Sequence, residues 1–140
     1  MYEIIIDCKK NRLVFTLGGQ PSLEECATIS ENLMAAYRQL SPGFSVITSV
    51  STFYPRDLET RLIMENTMKM ARGMGMKYVV RITPNPIVHH QWRFSSLTAG
   101  YEAILCANLE EAEQTLDQLE AGGDPGSSAG RRVAKRESPI

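Results

Sequence analysis

Residues 44–50, Phe-Ser-Val-Ile-Thr-Ser-Val, carry no charge and lie between Ser41-Pro42-Gly43 and a Pro55-containing loop. A run this short, apolar and rich in β-branched residues reads as a strand covered on both faces. Such a strand needs helices above and below it, so the chain on either side must supply them. It does. Ser22 stands three residues before Glu25, the reciprocal pairing that opens a helix. Cys26, Ile29, Leu33, Ala36, Tyr37 and Leu40 then recur at helical spacing. After the strand, a loop over Ser51–Asp57 leads to a second helix over about 57–72, ended by Gly73-Met74-Gly75. Its expected core stripe is Leu58, Leu62, Ile63, Met70 and Ala71.

The same alternation extends to both ends. Tyr2–Cys8 and Leu13–Leu17 form a hairpin around the polar turn Lys9-Lys10-Asn11-Arg12, and Gly18-Gly19-Gln20-Pro21 breaks the second strand. Tyr78–Ile82 and Tyr101–Leu105 are two further strands, with a short helix over Ile87–Leu97 between them. Asn108 and Glu111 cap a last helix that turns Ala112, Leu116 and Leu119 to one side. The order is β-β-α-β-α-β-α-β-α. It predicts an α/β domain over residues 1–121, with a mixed, mostly parallel five-stranded sheet, an N-terminal β-hairpin and about four helices. Val46, Ile47 and Val80 are expected in its core. Residues 122–140, Gly-Gly-Asp-Pro-Gly-Ser-Ser-Ala-Gly-Arg-Arg-Val-Ala-Lys-Arg-Glu-Ser-Pro-Ile, have few large apolar groups and are expected to be a disordered tail.

Several function classes are disfavoured. A net charge of -1 gives no global electrostatic case for nucleic-acid binding. No apolar run approaches the ~20 residues that span a bilayer, so no membrane insertion is expected. Residues 1–11 lack the basic start and long apolar stretch of a secretory leader, and a cytoplasmic protein is expected. Cys8, Cys26 and Cys106 are scattered, which fits reduced, buried thiols rather than a disulfide framework or zinc site. Phosphate-binding glycine loops, a nucleophile elbow, a zincin helix and paired Cys-x-x-Cys are all absent, so no cofactor or metal is expected.

What remains is local. His89 and His90 are adjacent, which on a helix turns them about 100° apart and away from a shared metal. Trp92, Arg93 and Phe94 suit either a stacking surface or an anchor to the core. Met64, Met68, Met70, Met74 and Met76 make the second helix and its exit rich in methionine, a residue that adapts to irregular surfaces. Met64 and Met68, four apart, are expected to face outward. Arg131, Arg132, Lys135 and Arg136 give the tail a small basic cluster. The Ser51–Asp57 loop joins the carboxyl end of a buried strand to a helix N-terminus, the edge where open α/β sheets place ligands and modifications.

From Tyr2 to about Leu119 the chain resembles the STAS domain, the family of bacterial anti-sigma-factor antagonists. Three segments carry the resemblance: SVITSVSTFYPRDLET (residues 45–60), GMGMKYVVRITPNP (73–86) and SLTAGYEAILCANLEEAEQTL (96–116). They are similar to that family's strand–loop–helix segment, its glycine turn and strand, and its carboxyl-terminal helix. Phosphorylatable members carry Asp-Ser-Ser/Thr-Gly at the helix start. Here Pro55-Arg56-Asp57-Leu58 takes those positions, so Asp57 stands where the phosphoserine is expected and Leu58 where the glycine is. The resemblance implies a non-enzymatic regulatory or scaffold module that works by protein–protein contact, with an anti-sigma kinase-like protein or other regulator as partner. Its expected contact residues are Ser51, Thr52, Tyr54, Arg56, Asp57, Met64 and Met68. Two other readings stay open: a small-ligand or lipid-binding module or minor enzyme with a pocket near Tyr54, Arg56, His89 and Trp92, and a homodimer-forming structural subunit.

Overall fold

A computed structural model of the chain describes residues 2–53, 58–83, 87, 90, 93, 97, 100–121, 135–136 and 138–139, with the backbone alone at 50–53, 135–136 and 138–139. Its centre is a five-stranded sheet, ordered β1-β2-β3-β4-β5. The strands are β1 (Tyr2–Asp7), β2 (Arg12–Gly19), β3 (Ser45–Phe53), β4 (Tyr78–Ile82) and β5 (Ile104–Cys106). The β1–β2 hairpin is antiparallel and every other pairing is parallel. Three helices are described: α1 (Leu23–Tyr37), α2 (Leu58–Gly73) and α3 (Leu109–Glu120). Residues 87, 90, 93 and 97 are helical, and the rest of the expected 87–97 helix lies outside the described residues. Lys135–Arg136 pairs with Ser138–Pro139 in a separate two-residue ladder (β6 and β7), and most of the expected tail is outside the described residues.

Side chains alternate across the sheet, and each face meets its own helices. Leu13, Phe15, Leu17, Val46 and Val79 face α1 and α2, which bring Cys26, Ile29, Leu33, Met64 and Ala71. Ile47, Val80 and Cys106 face α3, which brings Ala112 and Leu116. The expected α1 stripe is buried as far as Tyr37, and Leu40 packs against its edge. The Ser22–Glu25 capping box forms, with bonds of 2.8 and 3.1 Å. At α3, Asn108 caps as expected, but Glu111 bonds Ala107 N rather than the cap residue's own N–H. Gly75 sits at φ +107, and a Cβ there would meet Pro42 Cα at 2.8 Å, so the turn into β4 needs glycine twice over.

Four local expectations are corrected. The first concerns Arg12, expected in the polar hairpin turn. It opens β2 and is 1% exposed. Its guanidinium donates to Glu113, to Asp117 Oδ1 at 3.0 Å and to Glu120 Oε1 at 2.6 Å. Ser45 Oγ donates to Glu120 Oε2 at 2.7 Å. Burial alone would lower the pKa of Arg12, but the three carboxylates outweigh it and hold the guanidinium more firmly charged. The hairpin turn relies instead on Asn11, at φ 55, whose side-chain amide bonds both backbone groups of Ser41.

Second, α2 is rotated from its expected orientation. Leu58, Leu62 and Met70 are exposed, while Thr60, Met64, Thr67 and Ala71 are buried. Buried threonine is tolerable when its hydroxyl is bonded. Thr67 Oγ1 donates to Ile63 O at 2.8 Å and meets Ser30 Oγ of α1 at 2.6 Å.

Third, several strands run to different limits: Gly18 and Gly19, expected to break the second strand, lie within β2, and β1 ends at Asp7 rather than Cys8. β3 continues through Ser51, Thr52 and Phe53, expected as loop, because Gly18 and Gly19 keep β2 going beside it. One extra β3 residue enters between the Thr16–Ser49 and Gly18–Thr52 pairs, a bulge in the ladder. β5 is Ile104–Cys106 rather than Tyr101–Leu105, since Cys106 is drawn in beneath α3. Fourth, Cys8 is exposed, unlike the buried Cys26 and Cys106.

Candidate functional site

β3 ends at Phe53 and α2 begins at Leu58, so four residues of the candidate 51–57 region lie between the two elements. Ser51 lies within the bulge of β3, and Thr52 resumes the ladder beyond it by pairing with Gly18. Bulges are common where a strand end must be re-aimed toward a site. Tyr54, Arg56 and Asp57 lie outside the described residues, as do His89 and Trp92. Asp57 directly precedes the first residue of α2, where a carboxylate suits the free N–H groups and positive end of a helix. Glu59 adds a second acid in the first turn.

Beside this loop, α2 presents an apolar strip to solvent. Leu58 is 65% exposed and Leu62, one turn on, is 53% exposed. Met70 continues the strip two turns later. Arg61 and Glu65 pair at 2.9 Å along its flank. The expected outward pair is corrected: Met64 is 3% exposed and Met68 is half-buried against the core. Heptad-like spacing alone could not separate these two stripes. The signal that could have found the right one was the size of Leu58 and Leu62 beside the small Thr60 and Thr67, which allow α1 to approach closely.

Met64 and Met68 instead help to wall a cavity of about 40 Å³ between the sheet and the α1–α2 layer. Thr48 and Arg81 stand in register on β3 and β4 in the same wall. Arg81 is 2% exposed. Burial pulls its pKa below the ordinary guanidinium value, and Tyr101 acts in the opposite sense. Thr48 Oγ1 donates to Val80 O at 3.3 Å. Neither the cavity nor the burial of Arg81 was expected from the sequence, which placed Arg81 only within the strand Tyr78–Ile82.

The remaining chemistry is sparse. Burial pushes the Cys106 thiol up to about 11, which keeps it protonated and unreactive near neutrality. Among the described residues no group of three His, Cys, Asp or Glu could hold a metal ion. No described helix is long and apolar enough to cross a membrane.

No protein-family model matches the sequence, and no curated protein matches it. The fold does have matches among solved structures. One is a DUF3478-family protein from Shewanella loihica PV-4 with a SpoIIAA-like fold, 15% identical, covering 82% of this chain and 93% of that one at TM-score 0.65. Another is the Bacillus cell fate determinant SpoIIAA in its phosphorylated form, 14% identical, covering 85% and 99% at TM-score 0.57. A third is the anti-sigma factor antagonist SpoIIAA in its unphosphorylated form, 15% identical, covering 86% and 97% at TM-score 0.59. At these identities the likeness concerns architecture: the chain has the STAS-like fold of SpoIIAA.

Proposed function

We propose that this chain is a regulatory STAS-like module that acts by binding another protein, not by catalysis. Its contact surface is the 51–57 loop together with the exposed strip of α2. One observation carries the reading: Leu58 and Leu62, large and more than half exposed, follow directly on the loop that ends at Asp57. An exposed apolar helix strip with charged flanks is the surface that helix-docking partners use. The likeness to SpoIIAA, an anti-sigma factor antagonist solved with and without phosphate, supports a partner of the anti-sigma kinase class. Asp57 then stands as a permanent, weaker substitute for a phosphoserine, with one charge against about -1.5 to -2. Relative to the sequence-based expectation, Leu58, Leu62 and Met70 replace Met64 in the contact set.

The test compares the unaltered chain with a Leu58→Glu/Leu62→Glu double variant as bait for proteins of its own cell. The expected result is a kinase-type regulator retained by the first and lost by the second, at unchanged melting temperature. Equal retention by both, or no kinase-type protein on either, overturns the reading.

A further inference from the structure

β1 is the outer strand of the sheet, and among the described residues a strand pairs with it on one side only. Such an edge presents a row of backbone donors and acceptors that another extended segment can take up. Ile5 stands opposite Val14, which packs toward α3. Side chains alternate along a strand, so Glu3, Ile5 and Asp7 share that face. It reads acid, aliphatic, acid at every second residue, and Ile5 is 51% exposed. Arg131, Val133 and Lys135, in the segment after α3, have the same spacing with the charges reversed. α3 delivers that segment to one end of β1. Glu120 bonds Arg12, and Arg12 is the cross-strand partner of Asp7. Asp117 Oδ1 lies 3.7 Å from Lys10 Nζ in the hairpin turn. Ala121 therefore leaves the domain near the Asp7 end of β1. Nine residues separate it from Arg131, and a chain of that length reaches about 30 Å when extended.

We propose that residues 131–135 close on β1 as a sixth, antiparallel strand of the sheet, with Arg131 opposite Asp7, Val133 opposite Ile5 and Lys135 opposite Glu3. The direction follows from the approach: a segment arriving at the Asp7 end must run toward Tyr2. Directly opposed acid–base and aliphatic pairs favour this register. The register one residue on would place Arg132, Ala134 and Arg136 on that face and offer Ile5 only a methyl group. A second copy of β1 is a poorer occupant, because antiparallel pairing centred on Ile5 would set Glu3 against Asp7 twice. Val133 is the one aliphatic contact on this face, so charge rather than burial closes the edge. The contact is accordingly shallow, and its loss leaves the melting temperature nearly unchanged. It is independent of the partner-docking surface, because it lies on β1 rather than on the exposed strip of α2.

The experiment places a nitroxide on Cys8 of the full chain and reads the broadening of the backbone amides of residues 131–135 by NMR. Cys8 is exposed beside Asp7, while Cys26 and Cys106 are buried, so the label goes to one end of the edge. At low salt the broadening is expected to be strongest at Arg131 and to fade toward Lys135. Raising the salt to about 0.5 M is expected to remove half of it or more. Glu3→Lys and Lys135→Glu are each expected to cost a similar share, and the two together to restore the original broadening. The proposal is overturned if residues 131–135 are not broadened, if the broadening ignores salt, or if the double reversal fails to restore what each single reversal loses. Mixing nitroxide-bearing chains without isotope label and isotope-labelled chains without nitroxide tests for a second copy. Broadening between chains would overturn the contact within one chain, and none is expected.

Discussion

Arg12 on β2 and Glu120 at the end of α3 are joined at 2.6 Å across 108 positions of sequence. Asp117 and Glu113, one and two turns earlier on the same helix, reach the same guanidinium. One buried cation therefore ties the last two turns of α3 to the sheet. Arg12 Nε has no partner among the described residues, so the attachment rests on the two terminal nitrogens.

Arg12→Ala is expected to destabilise by roughly 2–4 kcal/mol. Removing a buried partner typically costs ~3–5 kcal/mol, and the carboxylates here are partly open to water, which trims it. Arg12→Lys is expected to recover only part, because a single ammonium cannot serve three acceptors with the guanidinium's fixed geometry. Urea unfolding of both variants checks this. A loss below about 0.5 kcal/mol for Arg12→Ala, the range of surface changes, would show that the carboxylates are equally content in water.

The second prediction concerns pH. Cys106 is buried beneath α3, and that burial pushes its thiol up to about 11, above the ordinary thiol range. The folded protein thus holds this thiol neutral where the unfolded chain would release its proton. Stability from this group is full below about pH 9 and drains away as pH rises toward 11. The loss is on the order of 2 kcal/mol. Tyr37, also buried, adds a loss of the same sign. Comparing the unaltered chain with Cys106→Ala at pH 7.5 and 10.5 isolates the thiol, since Tyr37 titrates in both. An equal pH-dependent loss in the two proteins would remove Cys106 as a contributor.

The contrast between what sequence shows and what it hides follows the range of the interaction. Capping by Ser22, Glu25 and Asn108, the α1 stripe and the burial of Val46, Ile47 and Val80 depend on neighbours a few residues away, and all are legible. The rotation of α2 is not. The expected stripe of Leu58, Leu62, Ile63, Met70 and Ala71 is the more apolar one, yet the helix buries Thr60 and Thr67 with Met64 and Ala71, and Ser30 meets Thr67 from another helix. Arg12 and Arg81 mislead for the same reason. A charged residue in a strand reads as solvent-facing, and only contacts distant in sequence make its burial tolerable. The candidate loop was legible as a place, between a buried strand and a helix start, but not as a surface, because the exposed leucines emerge only once α2 is oriented.

Residues beyond Ala121 are expected to be dispensable for folding. They offer little apolar area, so ordering them would cost more conformational entropy than burial returns. A chain ending at Ala121 is expected to melt within about 2 °C of the full chain. A drop of roughly 10 °C would mean that the tail docks on the domain.

The last prediction separates a signalling role for Asp57 from a purely structural one. Asp57 precedes α2 directly, and asparagine caps a helix about as well as aspartate. Asp57→Asn is therefore expected to leave stability nearly unchanged in either case. If Asp57 only caps, partner affinity is also unchanged. If its charge imitates a phosphorylated serine, as proposed, affinity shifts although the fold does not. Asp57→Ser extends the test by restoring a hydroxyl at the position where the family resemblance places the phosphoacceptor. A kinase of the anti-sigma class is expected to phosphorylate this serine, and the modification is expected to move affinity back toward that of the unaltered chain. Leu58 works against that step: it is 65% exposed and puts a side chain where a glycine would let the kinase approach the backbone. Calorimetry on the folded proteins with the captured partner provides the readout. Identical affinities for the unaltered chain, Asp57→Asn and unmodified Asp57→Ser would reduce Asp57 to a helix cap and leave the Leu58–Leu62 strip to carry recognition alone.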